Sequence, residues 1–501
     1  MNEYEGSVHQ VPISSALLLA LEPTYGIISY LISFTQMVAR RLRSFGSWFH
    51  PFLFVMVMGT GISADLLFEF PYEARWLKIC SYPMFATAVL LFLYLQLMGI
   101  VHFIFYVTDK SFEEYVDQFI RNVTISTGWG TYPMGLSTII NYLYLLAEHR
   151  IESKIKAKRV MRLVYVLWWY DLALALLCAW GISFLVWQRH FMGPLGKHRS
   201  HQEKVMSEHL NSTLLLIIIP LVVNSSSSGL FTMTDLFSET FNRNIQLLTL
   251  VITVLVWLQA QGFVAILFVI NFWNFYVNKL PAMMQAFTTF LFLGPMGQGA
   301  YGINLLTEDI RLYVEKYYNG NNGNVNNNNS DLQRQILLLA VPWSFKIIAL
   351  MLAFLLLSFG YFFTVIGFTS LSSHWKSAVE INVGSGIKRR RIWHFHRGWF
   401  AMTFPMGSMS LGTYRIWVLY NDYVPMKTFR VLGTIYASIC IIWTLVCLSG
   451  TFYHSVIPRL KKIRIRRDHR SSTLTEDQLQ EESKFDTTNS NFHEDNSSRL
   501  V

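Results

Sequence analysis

The chain has 501 residues, 52% of them apolar and 15% aromatic, with only 14% charged, against about 25% charged in an ordinary soluble domain. That balance excludes a soluble globular protein. The formal charge of +10 sits in clusters beside apolar runs, at Arg40 and Arg41, at 388–391 and at 459–467; with no soluble domain to present them, they read as cytoplasmic anchors facing anionic lipid, not as a nucleic-acid surface.

Residues 1–49 form a cytoplasmic segment with a polar start and one apolar stretch, 13–20, too short to span a bilayer; no cleavable signal peptide is evident. Ten apolar runs of spanning length follow, near 50–69, 76–107, 129–147, 160–187, 211–232, 244–272, 283–306, 338–371, 398–418 and 427–456. The Asn- and Gly-rich stretch at 317–331 has no apolar face to bury and reads as a flexible loop. The tail, 457–501, turns from basic to acidic and Ser/Thr-rich, and reads as disordered. Cys80, Cys178, Cys440 and Cys447 lie in or beside apolar runs without metal or disulfide spacing, so buried thiols are expected and neither a metal nor a cofactor is called for.

An even number of spans places both termini on one side, and the Lys and Arg distribution assigns that side to the cytoplasm. One loop dissents: residues 148–159 carry Arg150, Lys154, Lys156, Lys158 and Arg159, yet fall outside. The sequon at Asn328 should then face out, while those at Asn122 and Asn211 should lie inside.

The spans alternate in character. Odd-numbered ones are short and interrupted by small or helix-bending residues, at 58–63, at Pro133-Met134-Gly135, at Pro220 with 224–229, at Pro295-Met296-Gly297 and at Pro405-Met406-Gly407. Even-numbered ones are longer and more evenly apolar. The expected fold is therefore an all-α membrane protein of five helical hairpins, with odd helices inside and even helices facing lipid, because backbone groups freed by Pro and Gly must lie against protein or a wet cavity. Close packing of small residues is the plainer account of any single motif.

The inner helices would line a pore with Gly59, Thr60, Ser63, Pro133, Gly135, Asn224, Ser226, Ser227, Pro295, Gly297, Gln298, Pro405, Gly407 and Ser408. Neutral donors with few acids suit a small anion; a cation path calls for Asp or Glu. Asp65, Asp171 and Lys346 lie within spans and are the residues to consider for proton or charge coupling, with structural pairing or snorkelling as the competing role. A membrane enzyme would need clustered His, Asp or Glu in a span; His394-Phe395-His396 lies in a basic loop without an acidic neighbour, so no enzyme is expected. No phosphate loop is visible either, since Gly384-Ser385-Gly386-Ile387-Lys388 lacks the spacing.

Gly297-Gln298-Gly299, Thr403-Phe404-Pro405-Met406-Gly407, Trp168-Trp169-Tyr170-Asp171 and Phe241-Asn242-Arg243-Asn244-Ile245-Gln246 together resemble the fungal plasma-membrane sulfite efflux pumps of the tellurite-resistance/dicarboxylate transporter family, which also holds malate permeases and plant slow anion channels. The resemblance runs from residue 49 to residue 453. It implies a ten-helix bundle around a central pore, assembled as a trimer in the plasma membrane, that exports sulfite and confers sulfite resistance. It also implies a pore gate at Phe404, by position in the Thr-Phe-Pro motif. A dicarboxylate permease or another anion channel of the same family is the alternative. The first and fifth spans lack Pro-Met-Gly, so the pore lining there does not follow from the motif.

Overall fold

The structure, a computed structural model, describes residues 35–187, 190–192, 198–200, 212–318, 328–375, 378–383, 386–392 and 394–455. The short apolar stretch at 13–20, the sequon Asn211 and the tail at 457–501 lie outside the described residues. Among the described residues there are ten principal helices: α1 (Val55–Phe68), α2 (Arg75–Asp109), α3 (Thr131–His149), α4 (Lys154–Leu185), α5 (Leu215–Phe231), α6 (Arg243–Asn278), α7 (Leu293–Tyr318), α8 (Asn328–Ser373), α9 (Thr403–Tyr420) and α10 (Lys427–Ser455).

Seven of these, α1 and α5 with their lead-in turns and α2, α4, α6, α8 and α10, are long and apolar enough to cross a membrane. The other three, α3, α7 and α9, are helical where spans were expected but carry too many polar groups for that measure, among them Asn141, Gln298, Asn304, Asp309, Ser408, Ser410 and Arg415. Burial separates two classes. In the most apolar stretch of each, 94% of the α1 span and 89% of the α5 span is buried, against 17% in α2 and 28% in α8. In α3 and α9 most residues are buried as well, and in the first two thirds of α7 nearly every one is.

The packing follows a regular scheme. Each buried helix lies against the exposed helix that follows it in the chain, and the five buried helices touch one another in the closed order α1, α3, α5, α7, α9 and back to α1.

The sequence led us to expect interruptions inside the odd spans, and here the structure differs. Helix α1 runs unbroken through Gly59 and Gly61, and α5 runs unbroken through the Asn224 to Gly229 segment. The break lies instead at the start of each buried helix, which is reached through a 3-10 segment: Pro51–Phe54, Thr127–Gly130, Ser212–Leu214, Met283–Phe292 and Arg397–Met402. Pro133, Pro295 and Pro405 each stand third in their α-helix. Proline is tolerated in that first turn because its missing N–H has no intrahelical acceptor to lose.

The body is all-helical, as expected; outside it lie two short antiparallel ribbons, β1 (His190–Met192) with β2 (His198–Ser200) and β3 (Ala378–Val383) with β4 (Gly386–Arg391). Val379, Ile381 and Val383 alternate along β3, a pattern that favours a strand over a helix. Of the expected loop at 317–331 both described ends are helical, since α7 continues to Tyr318 and α8 begins at Asn328; residues 319–327 lie outside the described residues.

Candidate functional site

Phe404 is the second residue of α9 and is 2% exposed. It belongs to no aromatic pair among the described residues, although most large Phe side chains of the core do; Phe363, for example, stacks on Phe292 with centroids 4.4 Å apart. The neighbouring Thr403 packs on Gly59 of α1, where an added Cβ would come within 2.3 Å of its hydroxyl.

The glycines named above are points of close approach between neighbouring buried helices. A Cβ on Gly297 would lie 2.4 Å from the Ser408 backbone, one on Gly407 2.7 Å from Ile62, and one on Gly135 3.3 Å from Val57. These contacts join α7 to α9, α9 to α1 and α3 to α1.

The polar residues divide by what they touch. Thr60 donates to the Met56 carbonyl, and Ser408 donates to that of Phe404, bonds internal to their helices. Ser63 donates to the Gly59 carbonyl and to Thr444 of α10 at 3.0 Å. Gln298 Nε2 donates to Ser226 Oγ at 2.6 Å, tying α7 to α5. Ser227 Oγ and Gln298 Oε1 are buried without a hydrogen-bond partner.

Two expected residues, Asp171 and Asn224, meet in one cluster. Asp171 of α4 is fully buried, and its Oδ2 accepts from Ser137 Oγ of α3 at 2.6 Å and from Asn224 Nδ2 of α5 at 2.8 Å. Trp168, one turn earlier, donates its indole N–H to the Asn224 carbonyl at 3.2 Å. Lys346 of α8 pairs with Glu308 of α7 at 3.4 Å and lies over the Tyr423 ring. Asp65, near the end of α1, is 6% exposed and its Oδ1 has no partner. His394 and His396 accept from the backbone N–H groups of Arg391 and Gly398, as local caps.

The sequence offers Arg415, with Arg397 and Arg430, as a cation flanking the last two spans that either concentrates anions or snorkels, but sequence reasoning missed the acids gathered with Arg415 at one end of the buried helices. There a cavity of about 560 Å³ is lined by Glu69, Glu73, Lys78, His149, Arg150, Tyr301, Ser410, Tyr414 and Arg415, among others. Asp65 and Glu69 stand four apart on consecutive turns, a spacing that puts both on one side of the α1 end; that repeat was the available signal. Arg415 follows the polar run Gly412-Thr413-Tyr414 on α9.

Comparison with known proteins places these features in context. Residues 48–452 match the SLAC1 family, described as voltage-dependent anion channels. The chain is 50% identical over 420 residues to the sulfite efflux pump SSU1 of Saccharomyces cerevisiae, covering 83% of this chain and 90% of that one. It is 29% identical over 438 residues to the sulfite efflux pump SSU1 of Candida albicans, covering 87% and 79%. With the sulfite efflux pump SSU1 of Arthroderma otae the identity is 23% over 414 residues, covering 83% and 92%.

Proposed function

The chain belongs to the voltage-dependent anion channel family, and from that premise we propose that it exports sulfite through a pore enclosed by α1, α3, α5, α7 and α9. The observation that carries the substrate is the 50% identity to a sulfite efflux pump across 83% of the chain. The closed order of the five buried helices supports the pore, with α2, α4, α6, α8 and α10 as its lipid-facing sleeve and each pair a hairpin. In this reading 50–456 is the transporting unit, 1–49 and 457–501 are cytoplasmic, and the protein works in the plasma membrane as a homotrimer that gives sulfite tolerance. It is a transporter and not an enzyme.

The five 3-10 segments bring the starts of the buried helices to one end, where unsatisfied N–H groups and positive dipole ends favour an anion without a buried ammonium. Phe404 lies one residue inside such a start and, unstacked, closes the path until it swings. Ser227 Oγ is a free hydroxyl further along. Of the three ionisable residues, Asp171 and Lys346 act as clamps between helices, and Asp65 is the one left to carry a charge or proton.

The test is sulfite efflux from cells lacking their own exporter. Phe404→Ala should raise passive sulfite leak at least about tenfold, the effect of removing ~1.4 kcal/mol of barrier, while malate stays excluded. Leak equal to that of the wild type would remove Phe404 as the gate, and malate carried faster than sulfite would transfer the chain to the dicarboxylate permeases.

A further inference from the structure

The charged cavity at the far ends of α1 and α9 holds hydrogen-bond donors that no protein group accepts. Arg415 makes no hydrogen bond or ion pair among the described residues, and its Nε is buried without a partner. The other two cations of the cavity are engaged: Lys78 pairs with Glu73 at 3.0 Å, and Arg150 lies over the Tyr82 ring. Tyr301 of α7, only 6% exposed, lines the same cavity.

Arg415 is itself only half-buried, but its Nε, buried with no acceptor, is a donor left unsatisfied at a cost that an acceptor placed in the cavity would relieve. Three carboxylates, Glu69, Glu308 and Asp309, lie within electrostatic reach of Arg415, and none of them forms an ion pair with it among the described residues. We infer that the cavity is a docking site for a small oxyanion, in which the planar fork of Arg415 binds two oxygens, Tyr301 donates to a third, and Glu69 keeps the stay short by repulsion.

A rigid fork with parallel N–H groups matches an ion with several oxygens and gives a spherical halide no second oxygen to hold. Conduction in turn requires a site weak enough to release its ion. Arg415 is then a specificity-determining residue. This inference rests on the reading of the chain as an oxyanion exporter, and names where that oxyanion is selected before release.

The experiment uses the full chain, purified and reconstituted in vesicles, with sulfite, nitrate and chloride as probes. Arg415→Lys keeps the charge and loses the fork; it should lower the sulfite-to-chloride flux ratio about fivefold and raise half-saturating sulfite by a similar factor, with chloride flux retained. Tyr301→Phe should raise half-saturating sulfite about threefold, and Glu69→Gln should lower it. Thermal stabilisation of the solubilised protein by sulfite, absent in Arg415→Gln, reads binding apart from flux. Unchanged ratio and half-saturation in Arg415→Lys would overturn the site. Sulfite stabilisation that depends on Arg415, in a wild-type chain that moves no sulfite, would instead keep the site and overturn the exporter reading. Should Arg415→Gln fail to accumulate, Arg415→Lys and Tyr301→Phe carry the same decision.

Discussion

Gly297 shows how much one hydrogen atom decides in this bundle. Its α-carbon faces the Ser408–Met409 peptide of α9, and a methyl there would stand 2.4 Å from the Ser408 carbonyl carbon and 2.5 Å from the Met409 nitrogen. Backbone cannot rotate away as a side chain can, so the two helices must part, at a cost of about 1–3 kcal/mol for an overpacked contact. Gly262 on α6 is the control, since nothing lies within 4 Å of the methyl it would receive; alanine there gains about 1 kcal/mol of helix propensity. Gly297→Ala should therefore melt earlier than the wild type in a detergent thermostability assay, and Gly262→Ala at the same temperature or later. Equal melting of both variants would show that α7 and α9 do not depend on this approach. The sequence made Gly297 conspicuous but not its direction. Whether a small residue on a buried helix faces the axis or a neighbour depends on how the helix is rotated, and an all-round apolar helix carries no amphipathic stripe to fix that rotation. Ser63 illustrates the same limit: it looks like a pore hydroxyl in the sequence, yet it donates sideways to Thr444 of α10.

At the scale of elements, what was legible is the alternation of helix types, because it depends only on composition along the chain. The places where each buried helix begins were not. Pro-Met-Gly reads as a kink when it falls in the middle of an apolar run, but the run includes a 3-10 lead-in, and the proline marks its junction with the α-helix. Contacts between elements were less legible still. Asp171 gives no sign in its own helix that it will hold α3 through Ser137 and α5 through Asn224. Those bonds make a specific claim. Asp171→Ala leaves two buried donors without an acceptor, at about 1–3 kcal/mol each, and should lower the melting temperature well below that of Ser137→Ala, which removes one donor. Asp171→Asn keeps an oxygen in place and should retain most of the stability, with the pH profile of sulfite efflux unmoved. A flattened pH profile in Asp171→Asn would make Asp171 a proton carrier and not a clamp. The α1–α2 turn is fixed by a comparable device: Arg430 of α10 donates Nε and Nη2 to the Pro71 carbonyl at 3.0 and 2.8 Å, between the rings of Tyr72 and Trp417.

For the whole molecule the governing quantity is charge across the membrane. The basic loop 148–159 contradicts a simple positive-inside count, but Lys154 and Lys158 both reach Glu239 in the next connection at that end, at 3.4 and 3.2 Å, so part of the excess is paired. Those lysines hold the Glu239 carboxyl below its ordinary range, chiefly through the hydrogen bond from Lys158. In a cell whose interior is negative, an anion leaving the cytosol moves down a field worth about 2.3 kcal/mol per charge per 100 mV. A tenfold sulfite gradient is worth ~1.4 kcal/mol, so it should be balanced near 60 mV by a singly charged species and near half of that by a doubly charged one. In vesicles with an imposed potassium potential, the voltage of zero net flux should follow the sulfite gradient with one of these two slopes, and ATP should not alter it. The slope identifies which protonation state crosses. Flux indifferent to voltage would require a proton to travel with each charge, and Asp65, buried with an unpartnered oxygen at the end of α1, is where its neutralisation by Asn should then abolish that indifference.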